Sequence, residues 1–279
     1  MSALWRQFRR NRPALAGLTI LALVVALGVG APLIRPGDPW AEIAQPDLWP
    51  GEDWRFPFGS DVLGRDLLSG LLHGARVSLV IGFSAALVAG SLGTLTGSLA
   101  GFYGGWLDDA LMRLAESFQT IPAFLMAIVI VALFSPSPLT IVLSIVAVSW
   151  PGVARLVRAE TLRLRAADFV LACRSFGMGD ARIILTQILP NCLAPVIVTI
   201  SVMVASGILI EAGLSFLGLG DPSQLSWGTM IAIGRGSLRS AWYMSAIPGL
   251  AILLTVMAIN LIGDGLNDAL NPYLRDRSK

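Results

Sequence analysis

The chain has 279 residues, of which 55% are hydrophobic and only 14% charged, with a mean hydropathy of +0.73 and a net charge of +2. Soluble domains carry about 25% charged residues, so this composition excludes an ordinary soluble domain and predicts an integral, all-α membrane protein. Nineteen of the twenty basic residues are arginine and the only lysine is Lys279, which excludes a nucleotide-binding P-loop, where a lysine after a glycine-rich run holds the phosphates.

Residues 1–12 carry Trp5, Phe8, Arg6, Arg9, Arg10 and Arg12, a basic segment suited to lie on the inner leaflet. Pro13 to Ile34 is free of charge and long enough to cross a bilayer. The run exceeds the apolar core of a signal peptide and has no convincing cleavage site, so a retained first span is expected, 1–34 forming one unit. Residues 35–76 form a polar loop rich in Pro, Trp and acids. Its second half, Phe56–Leu79, reads as a turn followed by a helix capped near Ser60 or Asp61.

Val77 to Leu107 is uncharged and gives the second span. Gly93, Gly97, Gly101 and Gly105 fall every fourth residue, a stripe that lets another helix approach closely. Ser117 to Ala154 is too long for one span, and the Ser-Pro-Ser-Pro run at 135–138 divides it into two helices that Pro122 and Pro151 kink. A charged segment follows, then an uncharged run from Ile183 to Ile210 whose span starts near Cys192. After a polar loop over 221–239 the sixth span runs from Ser240 to Gly263. The expected core is thus 77–267, with a tail at 268–279.

The stretch AADFVLACRSFGMGDARIILTQILPN, 166–191, is too polar to cross. Phe169, Ala172, Cys173 and Phe176 recur at helical spacing. Gly177 and Gly179 stop that helix, and Asp180 caps a second one ending at Leu189–Pro190. Such a helix–glycine–helix hairpin is suited to pushing on a partner.

Basic residues set the orientation. With the N-terminus inside, the inner side holds Arg6 to Arg12, Arg113, the six arginines from Arg155 to Arg182, and Arg275, Arg277 and Lys279. That makes fourteen against six outside (Arg35, Arg55, Arg65, Arg76, Arg235 and Arg239). Both termini and the hairpin are therefore expected in the cytoplasm. Cys173 and Cys192 fall on that reducing side, and the lone His73 has no cluster of metal-ligating side chains around it.

No span carries an acid or base at its middle. Glu211, Asn260 and Asp264 at span ends are the candidates for a substrate pathway, Glu211 also reading as an interfacial charge and Asn260 as an interhelical hydrogen bond. A proton-coupled secondary transporter needs a buried ionisable relay, and an intramembrane hydrolase needs a clustered nucleophile and base. Neither pattern is present, which favours a pathway driven from outside the chain.

The 166–191 hairpin resembles the coupling loop of ABC-importer permeases, E-A-A, three residues, G, nine residues, I-x-L-P. Ala172 and the Gly177-to-Pro190 spacing match; Leu171, Cys173 and Gln187 replace the glutamate, second alanine and isoleucine. FGSDVLGRDLLSGLLHGARVSL (58–79), the hairpin, EAGLSFLGLG (211–220), SWGTMI (226–231) and GDGLNDALNP (263–272) occur in order. Together they resemble the second permease subunit of the dipeptide/oligopeptide/nickel importer family. The resemblance implies a type I permease of six transmembrane helices in the bacterial inner membrane, paired with a similar permease. It also implies two ABC ATPases, which hold ATP and Mg, an extracytoplasmic binding protein, and no cofactor, metal site or catalysis in this chain. Asp168, Phe169, Ala172, Cys173, Arg174, Phe176, Gly177, Leu189 and Pro190 would then contact an ATPase, the small residues allowing close approach and the phenylalanines filling apolar space. Peptides lead as cargo, with nickel or other metal chelates, opines and sugars open.

Overall fold

The computed structural model describes residues 8, 9 and 11–270. The expected basic contacts of Trp5, Arg6 and Arg10, and the basic tail, lie outside them. The helices are α1 (Arg12–Ile34), α2 (Leu67–Tyr103), α3 (Gly105–Gln119), α4 (Ala123–Phe134), α5 (Pro138–Arg165), α6 (Asp168–Ser175), α7 (Asp180–Ile183), α8 (Leu189–Phe216), α9 (Trp227–Gly234) and α10 (Tyr243–Leu270). No strand forms among the described residues, only two isolated bridges in the 35–66 segment.

α1 begins where expected. The Asn11 side chain accepts from the Ala14 amide at 3.1 Å, and Pro13 sits in the first turn, where a missing N–H costs nothing. α2 begins later than expected. Its cap is Asp66, which accepts from the Leu68 amide at 3.0 Å, so the loop proper ends at 66. Ser60 and Asp61 fold the loop instead. Asp61 accepts from the amides of Leu63 and Arg65, and the Ser60 hydroxyl donates to the Gln45 carbonyl and accepts from the Leu48 amide. Burial pushes the Asp66 carboxyl above the usual carboxylate range, against the pull of the Leu68 amide and of Arg35 at 3.5 Å. The folded state then binds this proton more tightly than the unfolded one. The contribution of Asp66 therefore falls as pH rises from its ordinary 3.8 through the raised value. Asp66→Asn, which keeps the capping oxygen, is expected to flatten the part of the thermal stability profile that lies above that ordinary 3.8.

The glycine stripe packs as its spacing implies, with one exception. A Cβ at Gly93, Gly97 or Gly101 would lie 2.7, 2.3 or 2.7 Å from the carbonyl oxygens of Trp150, Ala154 and Arg158, so α2 and α5 touch backbone to backbone. Gly105 does not join them. α2 ends at Tyr103, Gly104 turns the chain at φ +67°, and Gly105 opens α3 with nothing facing it.

The third expected span is bent. α3 is amphipathic, and α4 continues from it at 84° after a break at Pro122. The twelve residues of α4 span only about 18 Å at 1.5 Å per residue. Five described helices are long and apolar enough to cross, or six spans if α3 and α4 are counted as one. An ion pair ties the start of α3 to α5: Arg158 of α5 reaches Asp108 of α3 through Nε and Nη2 at 2.5 and 2.6 Å. Asp108 is buried, while Arg158 partly reaches solvent. Arg158→Ala strands a buried acid, whereas Asp108→Asn leaves an arginine free to turn outward. The first is expected to destabilise the purified chain by about 2–3 kcal/mol and the second by about 1, read from thermal unfolding in detergent. An equal cost would contradict the asymmetry.

The main core joins α2, α8, α9 and α10 around Ile208, Trp227, Tyr243 and Met244; a second joins α2, α4 and α5 around Ile141, Ile145 and Trp150. Contacts fix the ends of the bundle. Asn11 donates to Asp268, Gly265 abuts Ala14, and Phe102 meets the 166–191 hairpin, so the start of α1, the end of α10 and the hairpin share one end. The 35–66 loop, the 135–137 turn and α9 occupy the other.

Candidate functional site: the coupling hairpin

The hairpin is built by its turn. Asp168 stands in the first turn of α6 and Arg174 in the last, each matched to the helix dipole. At the C-terminus Gly177 takes φ +76°, the Gly177 amide donates to the Arg174 carbonyl at 2.9 Å and the Met178 amide to the Cys173 carbonyl at 3.0 Å. That pair of bonds defines a Schellman motif, and its apolar contact is made by Cys173 and Met178, which pack on the same cluster. Gly179, at φ −67°, is an ordinary cap position. Only one of the two glycines therefore needs its conformational freedom.

The second arm departs from expectation. Asp180 is the first residue of α7 rather than its cap, and no side chain caps that helix. The arm does not stop at Leu189–Pro190 either: a π-turn at Ile184–Ile188 leads straight into α8, making one rod from Asp180 to Phe216. Pro190 is accommodated because it falls in the first turn of α8. The hairpin and the fifth span are thus one mechanical piece.

One side of α6 is buried. Val170, fully buried, anchors α6 against Phe102, Leu164, Ile183, Ile184, Ile188 and Cys192. Cys173 and Leu189 are half-buried at the edge of this cluster, and the Arg174 guanidinium lies 4.9 Å over the Phe102 ring. Phe169, Leu171, Ala172 and Phe176 face out, with Phe176 88% exposed; Asp168 and Pro190 are exposed as well. Phe169, Ala172 and Phe176, which recur at helical spacing, form with Leu171 an apolar outward face at an end of the bundle rich in arginine, while Cys173 turns toward the cluster. Val170 escapes a reading of the sequence because one valine beside two phenylalanines is a weak signal.

The three pathway candidates do not converge. Glu211 is 1% exposed near the end of α8 and accepts hydrogen bonds from Ser78 and Ser215, so it is not a charge reaching for water. Asn260 and Asp264 are exposed on α10, without a hydrogen bond among the described residues, toward the end that holds the hairpin. His73 contacts the Arg35 carbonyl at 3.2 Å. No group of three metal-ligating side chains occurs among the described residues. At the end opposite the hairpin a cavity of about 600 Å³ is lined by Asp38, Trp40, His73, Arg76 and Gln224.

This helical bundle with a hairpin continuous with one span is the fold of a type I ABC-importer permease, and the chain belongs to the binding-protein-dependent transport system inner membrane component family, whose model matches residues 93–276. Residues 2–48 match the N-terminal transmembrane domain of oligopeptide transport permease C. Among relatives, the di/tripeptide transport system permease protein DppC of Pseudomonas aeruginosa is 42% identical over 98% of this chain and 92% of its own length. The dipeptide transport system permease protein DppC of Haemophilus influenzae is 39% identical over 97% and 94%. The glutathione transport system permease protein GsiD of Pectobacterium atrosepticum is 37% identical over 97% and 90%. A solved chain of the MetNI methionine ABC transporter, in an inward-facing conformation, superposes with a TM-score of 0.61 at 16% identity, covering 72% of this chain and 96% of that one. The chain is a membrane-spanning permease subunit of an ABC importer.

Proposed function

We propose that this permease carries short peptides, delivered by an extracytoplasmic binding protein, through a pathway it forms with a second, homologous permease. Its exposed hairpin is the contact for one of two partner ATPases. The observation that carries the reading is the outward apolar face of α6, Phe169, Leu171, Ala172 and Phe176, on a hairpin anchored by Val170 and continuous with α8. An apolar patch at a charged end of a membrane protein fits a protein partner rather than lipid. Peptides are favoured because the named cargo of the relatives is di- or tripeptide or glutathione. ATP and Mg are bound by the ATPases, and their closure moves the hairpin.

The orientation that fits has both termini and the hairpin in the cytoplasm of a bacterium, the chain lying in the inner membrane. It is supported by the excess of arginine at the hairpin end and by the sharing of that end by the start of α1 and the end of α10. The 35–66 loop then faces the binding protein. Reconstitution of the two permeases and two ATPases in vesicles tests the reading. Uptake of a labelled dipeptide is expected only with both ATP and the binding protein present. Accumulation by this chain alone, driven by an ion gradient, would overturn it in favour of a secondary transporter.

A further inference from the structure

Three sequence stretches that the transport reading leaves unused, ARVSL near the start of α2, EAGLS near the end of α8 and SWG at the start of α9, meet at one carboxyl group. Ser78 of α2 donates to Glu211 Oε2 at 3.2 Å and accepts from the Trp227 backbone amide of α9 at 3.3 Å. Ser215 donates to Glu211 Oε1 at 2.8 Å and accepts from the Ser226 hydroxyl, the N-cap of α9, at 3.4 Å. Two relays therefore start at the N-terminus of α9 and both end on Glu211. Each serine hydroxyl thus lies within hydrogen-bond reach of one carboxyl oxygen of Glu211. Ser78, Glu211, Ser215 and Ser226 are all buried.

The backbones around this knot are as close as they can be. A Cβ at Gly228 would stand 2.6 Å from the Ala212 Cα, and one at Gly74 would stand 3.3 Å from the Trp227 amide. The Trp227 indole donates to the Leu71 carbonyl at 2.9 Å. A polar group in the apolar interior is costly unless fully bonded, and Glu211 is bonded both within α8 and to α2, and through the two serines to α9.

We propose that Glu211 is the positioning residue that locks the short helix α9 to α2 and α8, so that displacement of the hairpin reaches the opposite end of the molecule as a movement of one rigid body. Glu211 lies twenty-two residues after Leu189, roughly 33 Å along a helix rising 1.5 Å per residue. α8 thus carries the hairpin at one end and the knot at the other. The proposal rests on the hairpin reading given above.

The test uses the assembled complex with Cys173 retained and spin labels carried on genetically encoded side chains at Val80 of α2 and Leu238, four residues after α9, both exposed. With Glu211 intact, one narrow interspin distance is expected in both nucleotide-free and ATP-trapped states. Glu211→Gln turns an amide NH₂ toward one serine and opens a relay; Ser78→Ala opens one from the other side without touching Glu211. Each is expected to broaden the distance or add a second one, and to lower the kcat of uptake at least tenfold with little change in KM for the loaded binding protein. Crosslinking of the hairpin to the ATPase is expected to persist in both variants; its absence from the intact complex as well would indict the hairpin reading rather than this one. Distances and kcat unchanged in both variants would overturn the proposal.

Discussion

Gly177→Val is expected to cut ATP-driven uptake at least tenfold while the chain still inserts and accumulates. Gly177 sits at φ +76° with nothing within 4 Å of a Cβ placed there, so side-chain volume is not the obstacle. The obstacle is the backbone. A non-glycine residue in the left-handed region costs about 1–2 kcal/mol, and a branched one more. Leaving that region breaks both turn bonds, from Gly177 to Arg174 and from Met178 to Cys173, and redirects α6 against α7. Because asparagine visits this conformation routinely, activity should fall in the order Gly, Asn, Ala, Val at position 177. Vesicle uptake normalised to the amount of assembled complex reads the series. Equal activity for Asn and Val would show that the turn is not what matters.

Gly97→Leu is expected to act earlier, on the chain itself. The added Cβ would lie 2.3 Å from the Ala154 carbonyl oxygen and 2.9 Å from the Val157 Cβ. Neither can swing away, since one is backbone and the other sits at the root of a branched side chain. α2 and α5 must separate along their whole contact, including Gly93 and Gly101. Over-packing costs about 1–3 kcal/mol where neighbours can shift, and here the upper end or beyond is expected. The measurable result is a chain that fails to accumulate in membranes, or whose thermal transition in detergent falls by several degrees. Gly152→Leu is the control, because nothing lies within 4 Å of a Cβ at Gly152. If both variants behaved alike, the backbone contact would not be what holds the two helices together.

Much of this architecture is legible in the residues because the bilayer imposes long uncharged runs. α1 starts within a residue of its expected position, and Pro122 marks the real break between α3 and α4. The start of α2 is not legible: Ser60, Asp61 and Asp66 are all good caps, and only tertiary folding of the loop decides that Asp66 serves. The turn of the hairpin can be read because glycine is almost the only residue that stops a helix that way. Its buried face cannot, since the periodicity of Phe169, Ala172 and Phe176 marks an apolar face without saying what covers it. Glu211 reads as an interfacial charge because one partner, Ser78, is 133 positions away, and the other, Ser215, one helical turn on, is too common a neighbour to mark a buried carboxyl.

The central claim is that the exposed face of α6 receives the stroke of a separate ATPase. Phe176→Cys, in a chain with Cys173 replaced by serine, places a thiol at the most exposed point of that face. In the assembled complex, a short bifunctional thiol reagent is predicted to join this introduced thiol to an engineered cysteine in the ATPase, with a yield that changes between nucleotide-free and ATP-trapped states. No crosslink in any nucleotide state, together with labelling of the same thiol by a membrane-impermeant reagent from outside sealed cells, would contradict the account.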